Sequence, residues 1–308
     1  MKKGLLCILY ATLVFSSMEI VLKVGCASFH PLQITFLRFL IGGLILVPLA
    51  IKEMREEDVV PSKKDWLFFA GQGFLLVVVS MFLFQLAVIY GQASIMAVLF
   101  CCNPVFVIIF AYFVLHHPIT KFNIVSILLA LGGIICIMNP AQMGDDSLGI
   151  FFMLLSAMAF AFYGVRGETR IRFGAVTRSS FCFTLGSIEL LFIILLTNLG
   201  PVANFLQTVG LGKYAYTPCI TGIADQNLLA LLYVGICITG LGFASYFMAM
   251  QLTSPAMASL VFFIKPALAT VMAYYFINDP VTPNMIYGII LLLLSSLVTF
   301  LPRLLKQA

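Results

Sequence analysis

The sequence predicts an all-α integral membrane protein whose ten transmembrane helices form a 5+5 inverted repeat. Three observations support this fold class. The composition is too apolar for a water-soluble domain, ten apolar runs are separated by short polar segments, and one pattern of residues recurs 162 positions further along the chain.

The composition excludes a water-soluble fold. Of the 308 residues, 62% are hydrophobic and 9% are charged, with a mean hydropathy of +1.11. Soluble domains are about 45–50% apolar and about 25% charged. A helix that crosses a bilayer needs about 20 apolar residues. The chain therefore has room for about ten spans and for no separate aqueous domain that could house an enzyme.

Apolar runs bounded by Pro, Gly, Asn or charge predict five spans in each half of the chain. We expect the first five-helix repeat at residues 1–140 and the second at 147–304. The predicted spans are 4–24, 32–51, 66–88, 93–115 and 122–139, then 148–168, 178–198, 227–249, 255–276 and 284–301.

The basic residues predict the orientation, because cytoplasmic loops carry an excess of Lys and Arg. With the N-terminus inside, 13 of the 17 basic residues are cytoplasmic, and both termini lie in the cytoplasm. The net charge of +5 then needs no nucleic-acid partner. We expect a multi-pass protein of a bacterial plasma membrane. The 13 residues are Lys2, Lys3, Lys52, Arg55, Lys63, Lys64, Lys121, Arg166, Arg170, Arg172, Arg178, Arg303 and Lys306.

An internal repeat relates the two halves. At an offset of 162 residues, the stretch Ala87–Thr120 aligns with Ala249–Thr282. Each stretch has a mid-span Pro, a Tyr eight residues later and a Pro-x-Thr turn. Each half holds an odd number of spans, so the second half must enter the membrane in the opposite sense. Many secondary transporters use this architecture.

These features carry a family resemblance. The 5+5 arrangement, the paired Pro-x-Thr turns and the Pro-Leu-x-x-x-x-x-Arg-Phe-Leu run from Pro31 to Leu40 resemble the drug/metabolite transporter superfamily, and within it the EamA-type exporters. The resemblance implies export of a small metabolite by alternating access. The chain differs from that family in having His116-His117 where an acidic residue is frequent, and in a longer connection from Asn198 to Asn227.

Lys265 is the first candidate for substrate binding. It lies near the middle of the ninth span, and its repeat partner in the fourth span is Asn103. Each precedes a proline, Pro266 or Pro104, that can interrupt the helix and act as a hinge. Inverted-repeat carriers hold their substrates at such midplane breaks. The alternative is that Lys265 only pairs with a buried acid such as Glu189.

Glu19 and Arg38 form a second candidate pair, for coupling or for structure. Each lies roughly 9 Å below the external surface at 1.5 Å per residue. An ion pair between them would be one way for the membrane to tolerate both charges. Lys23, one turn from Glu19, is an alternative partner. Glu19 is also a candidate for carrying a proton between the two states of a carrier.

Five further residues are candidates for the substrate pocket, because the resemblance implies that spans three, six, eight and nine line a central cavity. They are Gln85, Phe160, Tyr163, Tyr246 and Phe262.

No P-loop, metal triad or catalytic triad is present in the sequence, so we expect no cofactor, no metal and no enzymatic activity. The leading hypothesis is a secondary transporter that exports an amino acid or a related polar or amphipathic compound, with the bilayer and protons as its other partners. The alternatives are a multidrug or cation efflux carrier and a lipid-linked sugar flippase. The sequence leaves the oligomeric state open.

Overall fold

A computed structural model describes residues 2–138, 147–168, 172–253, 258 and 260–305. Every regular element among these residues is helical. Each of the ten predicted apolar runs coincides with a helical segment, and we number these segments as candidate spans in chain order.

The first five candidate spans come from the N-terminal half. Two of them contain π-helical stretches, and the fourth is divided by a turn at Cys101 and Cys102. The segments are Lys2–Ile20 with π-helical Val21–Gly25; Pro31–Glu56; Lys63–Gly73, π-helical Phe74–Met81 and Phe82–Tyr90; Ala93–Phe100 and Asn103–Leu115; and Lys121–Met138.

The other five candidate spans come from the C-terminal half. Two short helices, Gly200–Thr208 and the 3₁₀ turn Gly212–Tyr214, lie in the long connection between the seventh and eighth spans. The segments are Ser147–Gly167; Ala175–Thr197; Asp225–Leu232, π-helical Tyr233–Gly242 and Phe243–Leu252; Leu260–Ile277; and Pro283–Leu305.

Seven of these candidate spans are long and apolar enough to cross a bilayer, judged over the described residues. The other three are shorter apolar helices within Lys121–Ile137, Ile264–Ile277 and Pro283–Ser295. Large apolar side chains such as Phe113, Phe192 and Leu128 are more than 60% exposed. Such exposure is typical of a surface that faces lipid, where an apolar side chain costs nothing.

The repeat seen in the sequence recurs in the backbone. The fourth and ninth spans both end in a residue with left-handed backbone, His116 at φ 54° and Asn278 at φ 53°. In each case the next amide donates back to a carbonyl six residues earlier, to Ala111 at 3.2 Å and to Ala273 at 3.3 Å. Thr120 and Thr282 then accept from the amide three residues later, both at 3.3 Å.

The contacts between the two halves are also related by the repeat. The first span packs on the eighth and ninth, and its counterpart, the sixth, packs on the third and fourth. The second packs on the eighth as the seventh packs on the third. The second also packs on the seventh and the fifth on the tenth. Each contact therefore has a counterpart in which the two halves are exchanged.

Glycines permit the closest approach between spans. A Cβ atom at Gly73 would lie 2.6 Å from the Cys182 carbonyl oxygen, and one at Gly186 would lie 2.5 Å from that of Gly73. Small residues let helix backbones approach in a membrane, where packing replaces the hydrophobic effect as the main attraction. This contact fixes the third span against the seventh.

Candidate functional site

A cavity of about 270 Å³ lies between the two halves. Its walls are largely aromatic, and they come from spans one, three, four, six, seven, eight and nine. The lining residues are Phe15, Met18, Phe68, Gln72, Phe100, Asn103, Val107, Phe160, Tyr163, Gly164, Val165, Gly167, Glu168, Ala175, Arg178, Ser179, Cys182, Phe243, Tyr246, Phe247, Phe262 and Lys265.

Lys265 lies at the closed end of this cavity, away from its exposed lining residues, and pairs with Glu19. Its Nζ atom donates to Glu19 Oε1 at 2.7 Å, and both side chains are at most 2% exposed. The ammonium also lies over the Phe100 ring, 5.4 Å from the centroid. A buried ion pair of this kind lets two charges persist inside a membrane protein. The ion pair therefore joins the first span to the ninth.

This arrangement corrects the prediction that Glu19 pairs with Arg38. Arg38 is fully buried, and its only hydrogen bond among the described residues is from Nη1 to Met18 Sδ at 3.8 Å. Its guanidinium also packs over Phe39, 4.7 Å from the centroid, and Phe84, 5.8 Å away. The prediction was wrong because spacing within the first hairpin gives the depth of Glu19 but not the direction that its helix turns it. That direction is toward the ninth span.

The other predicted charge partners also differ. Lys23 donates to the backbone carbonyl of Gly91 instead of approaching Glu19. Glu189 lies half-buried in the seventh span, and its Oε2 atom has no hydrogen-bond partner among the described residues. Lys265 therefore does not pair with Glu189. Similar depth in the membrane is insufficient for contact when two spans occupy different sides of the bundle.

The two predicted hinge prolines are not equivalent. The fourth span is interrupted at Cys101 and Cys102, and Pro104 opens the helix that follows. Asn103 lines the cavity at this break, and its side-chain amide donates to the Ala157 carbonyl at 3.0 Å. Pro266 instead lies inside the continuous helix Leu260–Ile277. The ninth span therefore has no break at that point, and Pro266 removes one helical hydrogen-bond donor only.

Six of the seven predicted substrate residues line the cavity. Beside Lys265 and Asn103, these are Phe160, Tyr163, Tyr246 and Phe262. Gln85 does not line it. It is buried in the C-terminal part of the third span, beyond the π-helical stretch, while the N-terminal part of that span contributes Phe68 and Gln72.

Gln72 and Arg178 are among the polar lining residues that were missed from the sequence. Arg178 Nη1 donates to the Gly167 carbonyl at 2.7 Å, and its Nε atom has no partner among the described residues. Gln72 Nε2 donates to the Tyr163 carbonyl at 3.1 Å, and its Oε1 atom lacks a partner there. Arg178 was counted only as a cytoplasmic charge. Its position one turn inside the seventh helix was the signal that it could enter the cavity.

The cavity reaches solvent on the side where the basic residues cluster. Its lining includes exposed Gly164 and Glu168 at the end of the sixth span, together with Ala175 and Arg178 at the start of the seventh. The connection between these spans belongs to the predicted cytoplasmic side.

The opposite side is closed by contacts among span ends. Asp279, after the ninth span, accepts from the amide and the hydroxyl of Ser94 at 3.1 Å each, and so caps the fourth span. Lys213, in the long connection, donates to the Tyr90 hydroxyl. The His30 ring bonds the Lys213 carbonyl at 3.0 Å. These contacts close the bundle at the end that the sequence predicts to be external, and we call them the external closure.

Two side chains of this external closure have shifted pKa values. The hydrogen bond to Tyr90 raises the pKa of Lys213. Burial lowers the pKa of His30, and the nearby Lys213 charge lowers it further, against an opposing effect of the bond to the Lys213 carbonyl. Lys213 is therefore charged and His30 neutral at neutral pH when these contacts are formed.

Comparison with known proteins identifies the family. The EamA-like transporter family matches residues 2–139 and 147–301 of this chain. The chain belongs to this family. An uncharacterized transporter from Clostridium kluyveri is 35% identical over 309 residues, which cover 97% of this chain and 94% of that protein. The uncharacterized inner membrane transporter YedA of Escherichia coli is 25% identical, covering 84% of this chain and 78% of that protein.

A solved structure shares the fold. A chain described only as a crystal structure of a protein superposes with a TM-score of 0.66 at 15% identity and covers 100% of this chain and 99% of that chain. The EamA transporter described here is thus an all-helical, multi-pass membrane protein that acts as a transporter and not as an enzyme. The prediction of an EamA-type member of the drug/metabolite transporter superfamily is confirmed.

Proposed function

We propose that this EamA transporter is a secondary carrier that exports a small amphipathic metabolite with a carboxylate group, such as an amino acid, by alternating access. The observation that carries the proposal is Lys265 at the closed end of an aromatic cavity whose exposed lining lies beside the connection between the sixth and seventh spans. We take this connection to be cytoplasmic, as its basic residues predict. In this reading the chain crosses the plasma membrane ten times with both termini inside. Residues 1–140 and 147–304 form two repeats of opposite orientation.

The chemistry of the cavity supports an amphipathic substrate. Aromatic rings such as Phe160, Tyr246 and Phe262 offer apolar contact, and the cavity volume of about 270 Å³ suits a small molecule. Lys265 and Arg178 supply positive charge at its closed end and at its mouth. A carboxylate could replace Glu19 as the partner of Lys265, while its apolar part contacts the rings.

The contacts also support alternating access. External closure rests on side-chain contacts such as Asp279 with Ser94, while the cytoplasmic end is open. Because the contacts between halves occur in exchanged pairs, an opposite state can form by exchanging the roles of the two halves. Export would be driven by the substrate gradient or by protons, for which Glu19 is the candidate carrier.

The two alternatives have less support. A cation efflux carrier needs a buried acid that is free to bind a cation beside the cavity. Glu19 already pairs with Lys265, and Glu168, the acid in the cavity lining, is exposed at the connection after the sixth span. A lipid-linked sugar flippase needs an amphipathic cavity that opens toward lipid, whereas the exposed part of this cavity lies at the connection between the sixth and seventh spans.

A binding experiment with three related compounds tests the proposal. L-Phenylalanine has a carboxylate and an amine, 3-phenylpropionate has only the carboxylate, and phenethylamine has only the amine. A ligand that binds the folded state alone raises its thermal stability by mass action. We expect the two carboxylates to stabilise the purified protein, phenethylamine to have no effect, and Lys265→Met to remove both stabilisations.

Lys52→Met is the matched control, because Lys52 is an exposed residue that pairs with Glu56 on the surface. It should respond to the compounds as the unmodified protein does. Stabilisation by phenethylamine alone would favour the cation carrier. Equal stabilisation of Lys265→Met by the carboxylates would show that Lys265 does not bind the substrate.

A further inference from the structure

Three buried charged side chains, Glu19, Arg38 and Lys265, lie near the closed end of the cavity, and only two of them are paired. Glu19 bonds Lys265 through Oε1, while its Oε2 atom has no hydrogen-bond partner among the described residues. Arg38 is 1% exposed, and its Nε and Nη2 atoms also have no hydrogen-bond partner among the described residues. A buried, unpaired charge is destabilising. Arg38 therefore has two unused hydrogen-bond donors, and Glu19 has one unused acceptor atom.

A thin apolar layer separates Arg38 from the cavity. Met18 and Phe100 line the cavity, whereas Arg38 does not. Arg38 contacts the other side of this layer through Met18 Sδ at 3.8 Å and through the Phe84 ring. Phe84 in turn packs edge-to-face on Phe100, with centroids 5.2 Å apart. Lys265 is on the cavity side of the layer, and Arg38 is on its external side.

Glu19 is within reach of both cations. It contacts Lys265 directly, and its carboxylate is close enough to Arg38 to interact electrostatically. Met18, the residue next to it in the first span, is the side chain that Arg38 touches. A change of side-chain rotamer, with a small shift of the first span, would move the carboxylate from one cation to the other. Arg38 could then bind it with two donors, which is the stronger geometry.

We propose that Arg38 is the second partner of Glu19 in the transport cycle: when a substrate carboxylate binds Lys265, Glu19 passes to Arg38, and this exchange stabilises the outward-facing state. The inference rests on the proposed function, because it takes Lys265 as the substrate contact. It explains why a buried arginine keeps two unused donors in the inward-facing state. Substrate binding and the change of state are linked because both act on the partner of Glu19.

A labelling experiment without any ligand tests this exchange. The reporter is Leu32→Cys, a buried position in the first turn of the second span, in a protein whose eight native cysteines are replaced by Ser or Ala. A membrane-impermeant maleimide added to right-side-out membrane vesicles, washed free of cytoplasmic metabolites, reacts with it only when the external end opens. Lys265→Met leaves Glu19 without its present partner, as a substrate would. We expect it to raise the initial labelling rate several-fold.

The second substitutions identify the cause of that rise. Arg38→Met, added to Lys265→Met, should return labelling to the unmodified rate, and Glu19→Gln should do the same. Arg38→Lys, which keeps the charge, should restore part of the rise. Labelling of denatured samples corrects for expression. The proposed exchange is contradicted if Lys265→Met does not raise the labelling rate, or if the raised rate persists in both double variants.

Thermal stability separates this role from a structural one. Because two donors of Arg38 are unpartnered in the inward-facing state, Arg38→Met alone should leave the melting temperature unchanged or raise it. A large fall would show that Arg38 is needed for folding instead. The labelling assay uses no substrate, so its outcome is independent of whether the carboxylate compounds bind Lys265, and either proposal can fail without the other.

Discussion

At the scale of single residues, the distinctive feature is a carboxylate shared between two halves of the protein. Glu19 comes from the first repeat and Lys265 from the second, 246 residues apart in the chain. Neither charge could remain inside the membrane without a partner or a polar cavity. Their contact therefore adds one buried ion pair to the packing between the two halves.

We therefore expect Glu19→Gln to lower the melting temperature, because it leaves Lys265 buried without its anion. Removal of one partner from a buried pair costs about 3–5 kcal/mol, whereas removal of both costs much less. Glu19→Gln combined with Lys265→Met should recover most of the loss. Glu189→Gln serves as the control, since this acid has no basic partner among the described residues. Equal melting temperatures for Glu19→Gln and the unmodified protein would contradict the prediction.

The sequence predicted which charged residues are buried inside the spans, but it did not predict which of them form the ion pair. Burial cost singled out Glu19, Arg38 and Lys265 as the charges inside spans, and all three are buried. Counting along a hairpin gives depth only. The direction of each side chain depends on the packing of spans far apart in the chain, and the contact between the first and ninth spans could not be read from the sequence.

At the scale of elements, the connection between the seventh and eighth spans is a folded part of the external closure. Its two short helices are held to the bundle by the bond between Lys213 and Tyr90 and by the packing of Tyr214 against Phe82, with centroids 6.0 Å apart. Gln33 at the start of the second span donates to the Thr221 carbonyl at 2.8 Å. The sequence indicated its unusual length but not its structure, because its two helices, of nine and three residues, are too short for a clear periodic pattern.

This closure should loosen in acid through His30. The neutral ring accepts from the Leu32 amide at 3.3 Å with one nitrogen and bonds the Lys213 carbonyl with the other. The pKa of His30 is lowered in the closed state. Its contribution to closure is therefore complete above the ordinary value of about 6.5 and is lost as the pH falls through the lowered value. Protonation also places a second charge beside Lys213.

Hydrogen–deuterium exchange of residues 200–224 measures this effect. Protection should fall between pH 7 and pH 5, after correction for the intrinsic exchange rate. His30→Asn is the matched variant, because asparagine can still cap the second span but does not titrate in this range. Its protection should not change with pH. A pH-independent profile in the unmodified protein would rule out His30 as the titrating group.

The fourth and ninth spans are equivalent in the repeat, and their local structures agree at one point and differ at another. The left-handed ends at His116 and Asn278 match, as the aligned sequences suggested. The helix break at Cys101 and Cys102 has no equivalent near Pro266. A proline removes one donor and disfavours a helix before it, but neighbouring spans decide whether the helix continues.

At the scale of the whole molecule, orientation in the membrane is the property on which export depends. We expect Val60→Cys to react with maleimide only from the cytoplasm and Ile220→Cys only from outside. Both positions are exposed, at 81% and 66%, so neither label needs a conformational change. Labelling of intact cells and of inverted vesicles with an impermeant reagent checks both. The reverse pattern would place the cavity mouth outside and turn the proposed exporter into an importer.

The bond between Asp279 and Ser94 would favour one of the two states of the proposed carrier. A carrier made of two identical halves would have inward-facing and outward-facing states of equal free energy, and would wait as often on one side as on the other. The residues 162 positions before Asp279 and after Ser94 are His117 and Ala256, which cannot form the same bond. In the proposed cycle, duplication alone would supply the two states, and later divergence of a few residues would set the occupancy of each. An exporter that rests with its site open to the cytoplasm samples the pool of its substrate continuously and turns over only when that pool is filled.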